Sequence, residues 1–326
     1  MNIVGKKVLI TGGAGFIGSQ IAEILMDEKV EEIVCLDNME RGSKKNLEIA
    51  AAAGNLRLVE GDIRDRDLLD SLVADADLVF HMAALRITQC AAEPEHAFEV
   101  MARATFELLQ MCVVHKVEKV VTASSASIFG LADQFPSPES AHPYSNRTLY
   151  GAFKIFNEGL FRSFNDMYGL SYCAMRYFNV YGPRMDIHGK YTEVLIRWLD
   201  RISKGQSPII FGDGLQTMDF IHVRDIAKAN VAAAKSNVQD EVFNIAMGKE
   251  TSLRELALTL LEVMGRSDLP IEYGPERTVN PVPRRWADTA KAERLLGFKA
   301  NIELADGLTG LLQWWRSETD MVESKA

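Results

Sequence analysis

The sequence predicts an α/β fold: a doubly wound parallel sheet joined to a smaller, discontinuous α/β domain towards the C-terminus. Three observations predict it. Short apolar strands alternate with amphipathic helical stretches through the first half of the chain. The first strand, Lys7-Val8-Leu9-Ile10, runs directly into a glycine-rich turn, Thr11-Gly12-Gly13-Ala14-Gly15-Phe16-Ile17-Gly18. The second strand, Ile33-Val34-Cys35-Leu36, ends in Asp37, about twenty residues beyond that turn.

Taken in order, strands are expected at 7–11, 32–37, 56–60, 77–81 and 118–124, with helices around 16–29, 44–53, 65–74 and 94–115. Such alternation requires right-handed crossovers, which place helices on both faces of the sheet. A helix from Leu149 to Tyr168 and a strand from Leu170 to Arg176 follow. After Pro183 the pattern loosens, with helices near 192–204, 252–264, 288–296 and 303–316. Residues 217–246 read as strand, helix, strand and are expected to return to the main sheet. The expected dinucleotide-binding domain is thus 1–180 plus 217–246, and the substrate-binding domain 181–216 plus 247–316. Residues 317–326 are polar and aperiodic, as in a flexible tail.

The glycine turn carries the first functional signal and makes the sheet Rossmann-like. Gly12, Gly15 and Gly18 allow a tight turn, a close approach to a pyrophosphate, and packing of helix on sheet. Phe16 and Ile17 open the helix, whose N-terminal N–H groups face the phosphates. Asp37, followed by Asn38, can accept hydrogen bonds from both adenosine ribose hydroxyls and repels a 2′-phosphate, so NAD is the expected cofactor. Arg41 nearby would favour NADP, but the acid at the strand tip outweighs it. Asp62, with Ile63 after the third strand, has two readings: a contact to the adenine amino group, or a cap for the helix near Asp65.

Composition excludes several classes. A chain of 326 residues with 47% apolar content builds one large or two medium domains. A net charge of −9 with scattered basic residues argues against a nucleic-acid surface. Cys35, Cys90, Cys112 and Cys173 have no metal-ligand or redox spacing, and the six histidines are dispersed, so no metal site is expected. No apolar run approaches the roughly eighteen residues of a membrane span, and Met1-Asn2-Ile3-Val4-Gly5-Lys6 has no signal-peptide core. The expectation is a cytoplasmic protein with reduced core thiols.

Acid–base chemistry is suggested further along. The fifth strand ends Val121-Thr122-Ala123-Ser124-Ser125-Ala126-Ser127, at the carboxyl edge where ligands of such sheets bind. Tyr150 and Lys154, four residues apart, share one helical face. A phenol with a pKa near 10 is a poor base, but a neighbouring ammonium and a cationic nicotinamide favour its phenolate.

The combination of TGGAGFIG, Asp37, His81-Met82-Ala83-Ala84, Ser125, YGAFK and Arg176-Tyr177-Phe178-Asn179-Val180-Tyr181-Gly182-Pro183-Arg184 resembles the extended short-chain dehydrogenase/reductases. Within them it is most similar to nucleotide-sugar 4-epimerases of the UDP-galactose 4-epimerase kind. The resemblance continues through Asp219-Phe220-Ile221-His222-Val223-Arg224-Asp225 to Trp286-Ala287-Asp288. It implies that Tyr150 removes the sugar 4-hydroxyl proton, Ser125 holds that hydroxyl, and Lys154 anchors the nicotinamide ribose. Met82, Ala83, Ala84, Tyr177 and Val180 are implied as further NAD contacts. Related dehydratases and decarboxylases carry acids beside the catalytic hydroxyl; here Ala126-Ser127 supplies none for chemistry at C5, which favours epimerisation.

The resemblance also implies substrate contacts at Ser127 and Asn179, and a UDP-sugar as partner. Two arginines that commonly hold the diphosphate are replaced by Met218 and Thr278. Arg86, Arg184 and Arg277 are candidate replacements, Arg184 first. Arg285, before Trp286-Ala287-Asp288, stands at the sugar pocket, where it would screen substituent size or pair with a uronic acid; the alternative is a surface arginine. Excess apolar positions on the 94–115 and 149–168 helices are either deep core or, as in relatives, a homodimer face.

Overall fold

The computed structural model describes residues 1–187, 193–276 and 282–323. Its strands are β1 (Lys7–Thr11), β2 (Glu32–Asp37), β3 (Leu56–Glu60), β4 (Leu78–His81), β5 (Lys119–Ser125), β6 (Tyr172–Tyr177), β7 (Asn179–Tyr181), β8 (Ile209–Phe211), β9 (Thr217–His222), β10 (Glu241–Ile245), β11 (Glu250–Ser252) and β12 (Glu272–Gly274). Its α-helices are α1 (Phe16–Leu25), α2 (Glu48–Ala51), α3 (Arg66–Ala74), α4 (Ile87–Ala92), α5 (Pro94–Phe98), α6 (Ala104–Val114), α7 (Leu149–Tyr168), α8 (Val194–Ser203), α9 (Val223–Lys235), α10 (Leu253–Val263), α11 (Ala290–Leu296) and α12 (Leu304–Glu323).

Seven strands form one parallel sheet in the order β3-β2-β1-β4-β5-β6-β10. Central parallel strands are buried on both faces, which is why Val8, Leu9 and Ile10 are all apolar. Their side chains alternate between two cores. Val8 and Ile10 join Ile21, Leu25, Ile226 and Val231 of α1 and α9, whereas Leu9 joins Leu69, Leu108 and Phe161 of α3, α6 and α7. A third core, with Trp198, Leu199, Leu256, Leu260, Leu308 and Leu311, holds α8, α10 and α12 together as a second lobe.

Some boundaries differ from the sequence reading for identifiable reasons. The helix expected over 16–29 stops at Leu25, followed by a 3-10 turn (Met26–Glu28) and a left-handed Lys29. The stretch 44–53 is a 3-10 turn (Lys44–Leu47) and the short α2. The stretch 94–115 is α5, begun by Pro94, then a π-helical turn (Glu99–Arg103), then α6. In that turn the Met101 carbonyl accepts hydrogen bonds from the Asn157 amide (2.8 Å) and the Thr105 hydroxyl (3.0 Å), tying it to α7. Helix α4 was not anticipated. Of 217–246 only β10 returns to the main sheet; β9 pairs with β7 and β11 in a separate three-stranded sheet. Finally, α12 continues to Glu323, where a tail was expected from 317, and Glu318 pairs with Lys45 at 2.8 Å. The four cysteines are buried and unbridged.

Candidate active site

A cleft of about 1380 Å³ lies over the carboxyl edge of the main sheet, walled on its far side by the second lobe. It is centred where the strand order reverses, between β1 and β4, the place at which open α/β sheets leave a crevice. The turn after β1 fits a dinucleotide pyrophosphate closely. Gly12 has φ +69°, and a Cβ there would sit 2.8 Å from the Ala83 nitrogen. A Cβ on Gly18 would sit 2.2 Å from the Gly12 carbonyl oxygen. Gly15 caps α1 without a side chain, leaving that helix end open to an anion. Gly12, Gly15, Phe16, Ile17 and Gly18 all line the cleft.

Asp37, at the tip of β2, accepts hydrogen bonds from the Ala14 (3.0 Å) and Met39 (2.9 Å) N–H groups. Burial pushes its pKa up, while those N–H groups and Arg41 act the other way. Arg41 is drawn across the cleft to Asp186 (3.8 Å), which Arg86 also approaches (3.4 Å). Asp62 pairs with Arg64, whose hydrogen bond holds its carboxyl down at about 2, and it accepts from Asn38 at 3.5 Å. The cap of α3 is Asp65, which accepts from the Leu68 N–H at 3.1 Å, so the capping alternative for Asp62 is excluded. Ile63, Met82, Ala83, Ala84, Tyr177 and Val180 line the same cleft. The Tyr177 hydroxyl donates to Asn230 at 2.8 Å.

The acid–base residues come together from β5 and α7. Thr148 caps α7, accepting from the Gly151 N–H at 3.1 Å, a contact worth about 1 kcal/mol that sets the first turn carrying Tyr150. Ser125 ends β5, accepts from the Ser127 N–H at 3.1 Å and lines the cleft beside the Tyr150 phenol. Burial pushes the Tyr150 pKa up to about 12; the neighbouring Ser125 hydroxyl and the charges of Arg285 and Arg41 pull it back. Lys154 donates to the Ala123 carbonyl at 2.6 Å, and burial lowers its pKa to about 8, against the pull of Cys90 and Glu158. Behind it, Glu158 receives both Arg176 Nε (2.9 Å) and Nη2 (2.7 Å), plus the Ser124 hydroxyl.

On the substrate side, Arg86, Ser127, Asn179, Arg184 and Arg285 line the cleft; Arg277 lies outside the described residues. Arg184 departs from its expected role. Its guanidinium is committed to Glu23 (2.6 Å) and Ser19 (3.3 Å) of α1, an ion pair largely shielded from solvent. Asn179 keeps a buried carbonyl oxygen without a partner. Asp186, Arg197 and Phe211 also line the cleft, and nothing in their sequence neighbourhood had marked them. Among the described residues no group of three or more His, Cys, Asp or Glu is placed to hold a metal, and no helix is long and apolar enough to cross a membrane.

Residues 8–246 match the model of the NAD dependent epimerase/dehydratase family. A putative UDP-glucose 4-epimerase of Methanocaldococcus jannaschii is 36% identical over 313 residues, covering 95% of this chain and 98% of the relative. The structure of a UDP-N-acetylglucosamine 4-epimerase from Methanobrevibacter ruminantium M1, in complex with UDP-N-acetylmuramic acid, superposes with a TM-score of 0.90. It is 34% identical, with 97% of this chain and 99% of that one covered. A UDP-glucose 4-epimerase from Bifidobacterium longum, in complex with NAD+ and UDP, is 26% identical with a TM-score of 0.87 and covers 96% and 99%. With the glycine turn, Asp37 and the Ser125–Tyr150–Lys154 group in one cleft, the chain belongs to the NAD-dependent epimerase/dehydratase family, as an NAD-using epimerase of the extended short-chain dehydrogenase/reductase type.

Proposed function

We propose that the chain interconverts UDP-sugars epimeric at C4, through a 4-keto sugar. The convergence of Ser125, Tyr150 and Lys154 at the carboxyl end of β5 carries this reading. When bound, NAD supplies an acceptor and donor of hydride; the glycine turn, Asp37, Asp62, Met82–Ala84, Tyr177 and Val180 would hold it. Tyr150 takes the proton of the 4-hydroxyl and later returns it to the oxygen on the other face. A phenol held up at about 12 by burial needs further positive charge to ionise near neutrality, and the Lys154 ammonium, 5.6 Å from its ring centroid, supplies it. Ser125, beside that phenol in the cleft, orients the same oxygen.

Ala126 and Ser127 follow Ser125 without a carboxyl, so these two positions supply no acid or base for elimination or decarboxylation at C5. Asn179, with its unpaired carbonyl oxygen facing buried space, suits a sugar or base donor. The test is direct. The purified protein should carry NAD and interconvert two UDP-sugars without consuming it. Tyr150→Phe should retain NAD while turnover falls by at least about 100-fold. Near-normal turnover in that variant, or net reduction of NAD, overturns the reading.

A further inference from the structure

We propose that Arg285 reads a negative charge on the sugar, so that this chain prefers nucleotide sugars with a carboxylate at C5, the uronic acids, over neutral hexoses. The inference rests on the reading of the cleft as a nucleotide-sugar site.

The segment around Arg285 is stitched on both sides. The Arg285 N–H donates to the Thr217 carbonyl (2.9 Å), the Ser137 N–H to the Trp286 carbonyl (2.7 Å), and the Ala287 N–H to buried Asp219 (3.2 Å). This extended pairing sends consecutive side chains to opposite sides. Arg284 turns outward, paired bidentately with Glu250 (2.7 and 2.6 Å) and lying over the Phe135 ring. Arg285 turns into the cleft.

There its guanidinium has no hydrogen-bond or ion-pair partner among the described residues, and its Nε is enclosed without an acceptor. The other described arginines of the cleft are engaged: Arg41 and Arg86 with Asp186, Arg184 with Glu23, and Arg197 likewise not free. A guanidinium is never discharged in a protein, so one whose Nε is enclosed without an acceptor is costly until an anion arrives. Tyr150 is its electrostatic neighbour, which puts it at the reacting end of the cleft. The sugar carbon whose hydroxyl Tyr150 would deprotonate is C4. A C5 carboxylate is attached one ring carbon away, within reach of the same corner, and accepts two parallel N–H bonds from an arginine fork. A neutral hydroxymethyl or a C2 acetamide cannot neutralise that charge.

The experiment compares wild type, Arg285→Met and Arg285→Lys, each with its NAD. Epimerisation is measured with UDP-glucuronate, UDP-glucose and UDP-N-acetylglucosamine, and binding of these and of UDP alone by calorimetry. Wild type should favour UDP-glucuronate in kcat/KM, and the ratio of UDP-glucuronate to UDP-glucose should fall about 100-fold in Arg285→Met, with partial recovery in Arg285→Lys. Affinity for UDP alone should not change. A wild type that prefers the neutral sugars overturns the proposal, as does an equal loss on all sugars, which would assign Arg285 to the Tyr150 phenolate. A parallel loss of UDP binding overturns it in favour of the diphosphate. If wild type binds UDP-glucuronate more tightly than UDP-glucose through Arg285 yet epimerises neither, the charge reading stands and the epimerase reading falls.

Discussion

The ammonium of Lys154 lies 5.6 Å from the centroid of the Tyr150 ring, one helical turn along α7, while its Nζ donates to the Ala123 carbonyl of β5. That bond locks the helix to the strand that ends in Ser125, so three catalytic candidates share one rigid corner. It also leaves the charge of Lys154 sensitive to what surrounds it. Burial brings its pKa down to about 8, so the ammonium is present below that pH and lost above it.

Activity should therefore fall as pH rises through about 8. Glu158, one turn further along α7, raises the Lys154 pKa. Glu158→Gln should move the alkaline limb of the kcat/KM profile towards acid by about one unit. An unmoved limb would show that Lys154 does not set it.

The glycine turn makes a steric prediction. Gly18→Ala forces a Cβ into the Gly12 carbonyl, 2.2 Å away, and should abolish co-purification of NAD and lower Tm. Gly310 in α12 has nothing within 4 Å of a built Cβ. Gly310→Ala should keep NAD and gain up to about 1 kcal/mol of stability. Equal NAD content in both variants would contradict a pyrophosphate seat at the turn.

Arg184→Ala should act on stability rather than substrate affinity. It removes an ion pair whose side chains are 9% and 17% exposed, and Glu23 keeps only Arg224, at 3.2 Å. A loss of about 1–3 kcal/mol is expected, with KM changed less than threefold. A tenfold rise in KM at unchanged Tm would return Arg184 to the diphosphate.

His81 should make the fold acid-sensitive. It is buried between the Thr11 (2.8 Å) and Thr105 (3.0 Å) hydroxyls, and burial lowers its pKa to about 3. The unfolded chain takes up its proton near pH 6.5, so this stabilisation is complete above that pH and lost as pH falls towards 3. Between pH 6.5 and 5 the loss is about 2 kcal/mol. Urea titrations should show that slope in wild type and a flatter one in His81→Asn; parallel slopes would refute the assignment.

Phe98, Phe106 and Phe156 remain 46%, 39% and 48% exposed on the adjoining surfaces of α5, α6 and α7, with Phe106 edge-on to Phe164. Such an aromatic patch is expected to pair two copies of the chain. Light scattering at micromolar concentration should give a homodimer, and Phe156→Glu a monomer. A monomeric wild type would leave the patch without that role.

What the sequence determined by itself rests on local spacing. The β1–turn–α1 unit, Asp37 at the end of β2, and the Tyr150–Lys154 face follow from periods of two and 3.6 residues and from glycine's freedom at positive φ, which neighbours in the chain suffice to enforce. Only the tertiary structure decided which long-range partner each polar group meets. Glu23 captures Arg184 from 161 positions away, the Asn157 amide reaches the π-turn of residues 99–103, and the Asp219 carboxylate of β9 gathers N–H groups of Met247, Gly248 and Ala287. The same long-range pairing sends Arg284 to Glu250 and leaves the Arg285 Nε without an acceptor in the cleft, because charge pairing is settled by distance in space.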